Sequence, residues 1–316
     1  MKILVVGGAG FIGSHVVDLY IDNGHEVHVV DDLSTGKKGN IHPRAKFHHL
    51  DIYNDQEALT HLIQSEKFEI INHHAAQKSV PASMENPIID AQINIMGTLN
   101  LLESAVEHGV KKFIFASSGG TLAGDISKIP TSEVDTPVLV SPYAISKYTL
   151  EKYLDFYYQH HGLNYTVLRY ANVYGPRQVP DGECGVVSIF LENFMQGKPS
   201  KIYTFPHMPS GATRDYIFVK EVARVNLLVL DDGDNQVFNI GTGVETSTES
   251  VYQILQDGLK CYVPCIKEPK RKGDLERVSL NCDQAFKQLG WRYQTSLQQG
   301  LMETIYSVLE RKIECK

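Results

Sequence analysis

No apolar stretch in this chain approaches the roughly 20 residues a membrane-spanning helix requires, so no membrane partner is expected. Dense basic runs are also missing. "KK" at 37–38 and "KRK" at 270–272 are too short for polybasic tails, and a net charge of -7 argues against a nucleic-acid partner. Cysteine is scarce: five residues, at 184, 261, 265, 282 and 315, odd in number and scattered. Cys261 and Cys265 have no second cysteine pair or nearby His-x-x-x-His, so no metal site is expected. Reduced thiols in a cytoplasmic protein fit this usage better. The opening "MKILVVGGAG" reads as a buried strand running into glycines, not as a signal or transit peptide. Histidine is plentiful, with adjacent pairs at 48–49, 73–74 and 160–161. Neighbours on a strand point in opposite directions, so a pair does not make a chelate and is read as structural.

What is present is alternation. "KILVVG" (2–7), "EVHVVD" (26–31), "AKFHHL" (45–50), "EIINHH" (69–74), "KKFIFAS" (111–117) and "YTVLRY" (165–170) predict strands. Helical patterns at 11–23, 55–65, 88–108 and 142–161 lie between them. This order predicts an α/β fold: a doubly wound, Rossmann-type parallel sheet with helices on both faces. Past residue 171, proline and glycine become frequent and shorter helices are predicted at 186–196, 219–230, 247–258 and 297–312. The expected organisation is a nucleotide-binding domain over 1–170 and a smaller, partly interleaved substrate lobe over 171–316. Segments near 215–243 are expected to return to the first domain.

"GGAGFIG" (7–13) follows the first strand and opens a helix, with Gly7, Gly10 and Gly13 at Gly-x-x-Gly-x-x-Gly spacing. Glycines there permit a tight turn and let backbone N–H groups approach a pyrophosphate at the positive end of the helix. The second strand ends at Asp31-Asp32, where a carboxylate accepts from ribose hydroxyls and repels a 2′-phosphate. NAD is therefore the expected cofactor, with NADP disfavoured.

"SPYAISK" (141–147) sets Tyr143 one helical turn before Lys147. Alone, the two could be neighbours on a solvated face. Beside a dinucleotide site, the ammonium and a nicotinamide cation would both stabilise the phenolate. Such a tyrosine can take a proton from a sugar hydroxyl. The strand "FIFASS" ends at Ser117-Ser118, on the carboxyl edge where α/β sheets place ligands, and a serine there can bridge substrate and tyrosine.

These motifs, with "DDLSTG" (31–36), "HHAAQKSV" (73–80), "IN" (93–94), "SSGG" (117–120) and "LRYANVYGPRQ" (168–178), resemble the extended short-chain dehydrogenase/reductases. Among these, the chain is most similar to UDP-glucose 4-epimerases, through "TRDYIFVKEV" (213–222), "VFNIGTG" (237–243) and "KRKGD" (270–274). The resemblance implies Tyr143, Lys147 and Ser118 as catalytic residues. It implies a cofactor cradle of Gly7, Gly10, Phe11, Ile12 and Gly13. Asp31, Asp32, Ser34, Thr35 and Gly36 would hold the adenosine ribose, and Asp51 and Ile52 the adenine. Ala75, Ala76, Gln77, Asn94 and Ser117 would line the cofactor, with Tyr170 and Val173 near the nicotinamide. Lys78, Asn172, Val187, Arg214, Arg271 and Asp274 would contact the UDP-sugar, with Tyr203 beneath the uracil; forked arginine donors suit a diphosphate.

Two departures stand out. Ala123 replaces a tyrosine usual in the family, and "FPHMPSGA" (205–212) replaces a short turn. Dehydratases and decarboxylases of this kind carry an acid just after the active-site serine, whereas here Gly119-Gly120 follow and no acid precedes Asp125. Epimerisation at carbon 4 is thus the expected activity. The alternatives are a dehydratase, a glucuronate epimerase or decarboxylase, or a simple oxidoreductase. The resemblance also implies a homodimer through helices 88–108 and 142–161, for which Ile95, Leu99, Leu102, Leu150, Tyr153, Leu154 and Tyr157 supply apolar spacing. Finally, it places Val278 where a tyrosine would exclude N-acetyl groups, so both UDP-glucose and UDP-N-acetylglucosamine are expected substrates.

Overall fold

Strand β1 (Lys2–Val6) is apolar on both faces, and Ile3 through Val6 are fully buried, as a central parallel strand demands. Burying each such side chain contributes about 1.5–3 kcal/mol, so a charge at Val5 would break the core outright. In the computed structural model the chain continues through α1 (Phe11–Asp22), β2 (Glu26–Asp31), β3 (Lys46–His49), α2 (Gln56–Glu66) and β4 (Ile70–His73). Next come α3 (Val80–Glu85), α4 (Pro87–Asp90), a π-helical turn at Ala91–Met96 and α5 (Gly97–Glu107). The helix expected over 88–108 is therefore two helices joined by a π turn. Asn86 begins the first of them by accepting the Ile89 N–H.

Strand β5 (Lys112–Ser118), the short α6 (Gly119–Ala123), α7 (Pro142–His161) and β6 (Asn164–Tyr170) complete the first half. Ser141 caps α7 by accepting the Ala144 N–H, Pro142 occupies its first turn, and Gly162 ends it with φ +70°. The second half holds β7 (Asn172–Tyr174), α8 (Val186–Met195), β8 (Lys201–Thr204), β9 (Thr213–Phe218), α9 (Val219–Leu228) and β10 (Gln236–Ile240). It ends with β11 (Glu245–Ser247), α10 (Thr248–Leu259), β12 (Ile266–Pro269), β13 (Arg277–Val278), α11 (Asp283–Leu289) and α12 (Leu297–Glu314). The structure describes residues 1–123, 128–180, 185–271 and 273–314, with no side chains from 311 on. Asp125, Cys184, Lys272 and Cys315 lie outside the described residues.

Seven parallel strands form the main sheet in the order β10-β6-β5-β4-β1-β2-β3. All six predicted strands belong to it, with β10 added beside β6 from past residue 171. Helices α1 and α9 pack one face, and α2, α5 and α7 the other. Strand order reverses between β1 and β4, which opens a crevice at their carboxyl ends. Beyond it, β11-β9-β13 with β7, and the pair β12-β8, surround a third core under α8, α10 and α12.

The apolar stripe proposed for dimerisation divides. Leu102, Leu150, Leu154 and Tyr157 are buried within the single chain, packed with α2 and the sheet, so they cannot form an intersubunit seam. Tyr153 of the stripe is exposed, together with Met84, Ile88, Ile89, Met96, Ile145 and Phe156 of the same region. A helix buried against a sheet spends its most apolar face there, and helical spacing alone does not say which face that is.

Candidate active site

The glycine turn is a close backbone approach. Gly7 has φ +81°, and a Cβ there would lie 2.5 Å from the Ala75 nitrogen. A Cβ on Gly13 would lie 2.3 Å from the Gly7 carbonyl oxygen. Helix α1 starts at Phe11 behind Gly10, which supplies no side-chain cap, so its first N–H groups face outward for an anion. Buried Asp31 accepts the Ala9 N–H (3.0 Å) and the Leu33 N–H (2.9 Å), and burial raises its pKa. A Cβ on Gly36 would strike this carboxylate at 2.4 Å. Asp32 is exposed and accepts from the Ser34 N–H and hydroxyl, while Thr35 stands exposed beside them. The residues present fit a dinucleotide: a glycine cradle, an uncapped helix end and a carboxylate at the close of β2.

Other expected cofactor residues take structural partners. The Asp51 carboxylate is occupied by the N–H groups of Tyr53 and Asn54 and the Asn54 amide, while Ile52 is buried against Gly97. Asn94 clamps the loop carrying Ala75, Ala76 and Gln77: it accepts the Gln77 N–H (2.8 Å) and donates to the Gln77 carbonyl (3.0 Å). Both Asn94 and Gln77 also donate to buried Asp90, which the sequence reading missed; Ser146 donates to its other oxygen at 2.5 Å.

At the chemistry end, α7 presents Tyr143 in its first turn, with its N–H donated to the Ser83 hydroxyl (3.3 Å). Lys147 lies one turn deeper and is buried. Its ammonium donates to the Ala116 carbonyl (2.9 Å) and sits 4.7 Å from the Phe115 ring centroid and 5.8 Å from that of Tyr143. Burial pulls Lys147 down to about 8, while Asp90 and Glu151 oppose the drop. The two serines of β5 face opposite ways. Ser117 lines the cavity described below, and its hydroxyl donates to Glu151 (2.7 Å), itself paired with Arg169 (2.6 Å). Ser118 stands at the sheet edge, in register with Tyr170. The histidine pair splits likewise: His73 meets Thr98 (2.9 Å) and His74 meets the Tyr170 hydroxyl (3.2 Å).

A cavity of about 870 Å³ joins the two ends of the site. It brings together Phe11, Ile12, Lys78, Ser118, Tyr143, Tyr170, Asn172, Val173, Val187, Tyr203, Arg214, Arg271 and Asp274. Arg214 donates to the Thr213 (2.7 Å) and Leu275 (2.8 Å) carbonyls, and burial lowers its pKa. Arg271 pairs with Asp274 (2.9 Å) and lies 4.5 Å over the Tyr203 ring, covering the face expected to receive a base. The 205–212 segment forms a turn in which the Met208 N–H donates to the Phe205 carbonyl (3.0 Å), and it brings Phe205 and Ala212 into the wall. Ala123 is buried in α6. Val278, 2% exposed, is not among the residues lining the cavity; its Cγ1 would lie 3.9 Å from a Cβ on Gly120, and the cavity residue Asn172 would place its Nδ2 3.8 Å from it.

Comparison with known proteins agrees with this geometry. The model of the NAD dependent epimerase/dehydratase family matches residues 3–241. A UDP-glucose 4-epimerase of Mycolicibacterium smegmatis is 41% identical, over 96% of this chain and 97% of that protein. The crystal structure of the Thermotoga maritima UDP-glucose 4-epimerase with UDP-glucose superposes with a TM-score of 0.95 at 45% identity, covering 99% of this chain and 100% of that one. The Thermus thermophilus enzyme in complex with NAD gives 0.92 at 39% identity, with 97% and 98% covered. With a glycine cradle, a buried lysine beneath a tyrosine and a family match across most of its length, this chain belongs to the NAD-dependent epimerase/dehydratase family.

Proposed function

We propose that the chain interconverts UDP-glucose and UDP-galactose by inverting carbon 4 of the hexose. The observation that carries this reading is Tyr143 above buried Lys147, opening on the same cavity as Ser118, Arg214 and Arg271. Gly7, Gly10, Gly13 and Asp31 would hold NAD, which would supply the hydride acceptor and donor. Tyr143 takes the proton of the 4-hydroxyl and later returns it, with Ser118 donating to the same oxygen. The Lys147 ammonium stabilises the phenolate. Arg214 and Arg271 hold the diphosphate, with Arg271 exchanging Asp274 for phosphate oxygens, and Tyr203 receives the uracil on the face that Arg271 now covers. An anchor at the diphosphate leaves the hexosyl ring free to turn over, so Tyr143 can serve either face of carbon 4. Between Ser118 and Ala123 there is no acid to expel the 6-hydroxyl, which disfavours a dehydratase.

The same reading takes 1–170 as the cofactor domain and 171–316 as the sugar lobe, with 215–243 returning to the sheet side, as α9 on α1 and β10 on β6 suggest. It makes the protein a cytoplasmic homodimer. Among the described residues no helix is long and apolar enough to cross a membrane, and the exposed Ile88, Ile89, Met96, Tyr153 and Phe156 offer a face for a second copy. Incubating pure protein with UDP-glucose and no added cofactor, then identifying products by NMR, tests the function. UDP-galactose is the expected product; a 4-keto-6-deoxy sugar, or dependence on added NAD, would overturn the reading.

A further inference from the structure

Between the sheet and helices α1 and α9 runs a polar column. Tyr20, Asn72 and Asn226 are each fully buried there. Asn72 Nδ2 donates to the Tyr20 hydroxyl (2.7 Å) and to Asn226 Oδ1 (2.9 Å). The Tyr20 hydroxyl donates to the Asn226 carbonyl (3.0 Å). Asn226 Nδ2 donates to the Val222 carbonyl (2.8 Å) and to the Tyr170 hydroxyl (2.9 Å).

The proton directions follow from the partners. A backbone carbonyl only accepts, so the Val222 contact fixes the Asn226 amide and makes the Tyr170 oxygen an acceptor from it. The Tyr170 hydroxyl also meets His74 Nε2 at 3.2 Å, a contact whose direction is set by the His74 tautomer. Burial holds His74 near 3 and keeps it neutral, and burial likewise pushes the Tyr170 phenol far above its usual range. Such a column is costly in an apolar layer, where leucine and phenylalanine would pack with no partners to satisfy. Its outlet is Tyr170, which lines the cavity and pairs in register with Ser118.

We propose that Asn226, backed by Asn72 and Tyr20, is a positioning residue that fixes the Tyr170 ring, as a neutral phenol, in the wall of the cofactor end of the cavity. The inference rests on the reading that Tyr170 borders the nicotinamide. Held this way, Tyr170 is a rigid surface, and Tyr143 remains the tyrosine that exchanges protons.

The test compares wild type, Asn226→Leu, Tyr170→Phe and the double variant, each purified with its cofactor. Nucleotide retained through gel filtration is measured alongside kcat and KM for UDP-glucose. Each single variant is expected to retain less nucleotide and to lose about five- to tenfold in kcat, the size of one neutral hydrogen bond. KM should stay within about twofold, the pattern of an interaction that does not hold the substrate. The double variant should be no worse than the more impaired single, because both changes break the same Asn226–Tyr170 hydrogen bond. Multiplying effects, or a change in KM alone, overturn the proposal. Should Asn226→Leu not fold, Tyr170→Phe decides: it removes one hydroxyl, and wild-type retention and kcat in that variant overturn the proposal. If wild type itself fails to convert UDP-glucose, the functional reading fails, while nucleotide retention still decides the role of the column.

Discussion

Lys147 is held under Tyr143 by the sheet: its ammonium donates to the Ala116 carbonyl at 2.9 Å and lies 5.8 Å from the tyrosine ring. Tyr143→Phe is expected to retain cofactor while lowering kcat by about 10²–10⁴, the usual contribution of a positioned acid–base group. Turnover of UDP-glucose within about tenfold of wild type would show that another group carries the proton.

Asp31 braces the glycine turn through the Ala9 N–H and closes β2. Asp31→Ala should weaken NAD binding by about tenfold or more, as expected for a lost charge-assisted bond, and relax the bias against NADP. Reconstitution of stripped protein with each dinucleotide measures this. An unchanged preference would mean that the carboxylate serves the loop alone.

Val278 packs behind Gly120, near Asn172. Wild type is expected to epimerise both UDP-glucose and UDP-N-acetylglucosamine, and Val278→Tyr to lose the N-acetyl sugar. Overpacking at a site 2% exposed costs about 1–3 kcal/mol, so a melting curve must accompany the assays. Wild type ignoring the N-acetyl sugar, or Val278→Tyr handling both sugars unchanged, would count against this assignment.

Acid should destabilise the fold through histidines. Burial lowers His15 to about 4 and His74 to about 3, and holds His73 well below its ordinary 6.5. Below the unfolded value the unfolded chain binds more protons, so stability falls as pH drops from about 6.5, by up to about 1.4 kcal/mol per pH unit per group. The buried carboxylates Asp31 and Asp90, with raised pKa values, act with the opposite sign at lower pH. Denaturant midpoints measured from about pH 7 to about pH 5 should therefore decline; a flat profile would mean these rings are solvated.

Light scattering at micromolar concentration should give a dimer mass, and Ile88→Glu or Phe156→Glu should shift it to monomer. A wild-type monomer would leave the exposed face on α4 and α7 without a copy to cover it.

The sheet was legible because each strand is a short apolar run buried on both sides, and the cradle because only glycine tolerates backbone at these distances. Tyr143 and Lys147 were legible because one helical turn separates them. Asp90, Glu151 and Asn226 were not. Asn226 looks like one polar position on an amphipathic helix, and its partner Asn72 lies 154 positions away. Four of the seven stripe residues, Leu102, Leu150, Leu154 and Tyr157, turned inward for a related reason: periodicity reports that a face is apolar, whereas the tertiary fold decides whether sheet, neighbouring helix or solvent meets it. The strand end at Ser117-Ser118 was visible, but the buried Glu151–Arg169 pair that accepts from Ser117 was not.

The pairing of β12 with β8 joins Lys201–Thr204 to Ile266–Pro269, and the chain leaves β12 directly for Arg271 and Asp274. A nascent chain grown as far as Ile240 already contains every strand of the main sheet, together with Tyr143, Lys147 and the glycine turn. It still lacks Arg271, Asp274 and Val278. Synthesis thus delivers the strands of the main sheet first, and Arg271, Asp274 and Val278 follow them. A truncation before β12 would keep the glycine turn, Tyr143, Lys147 and Arg214 and lose Arg271, Asp274 and Val278.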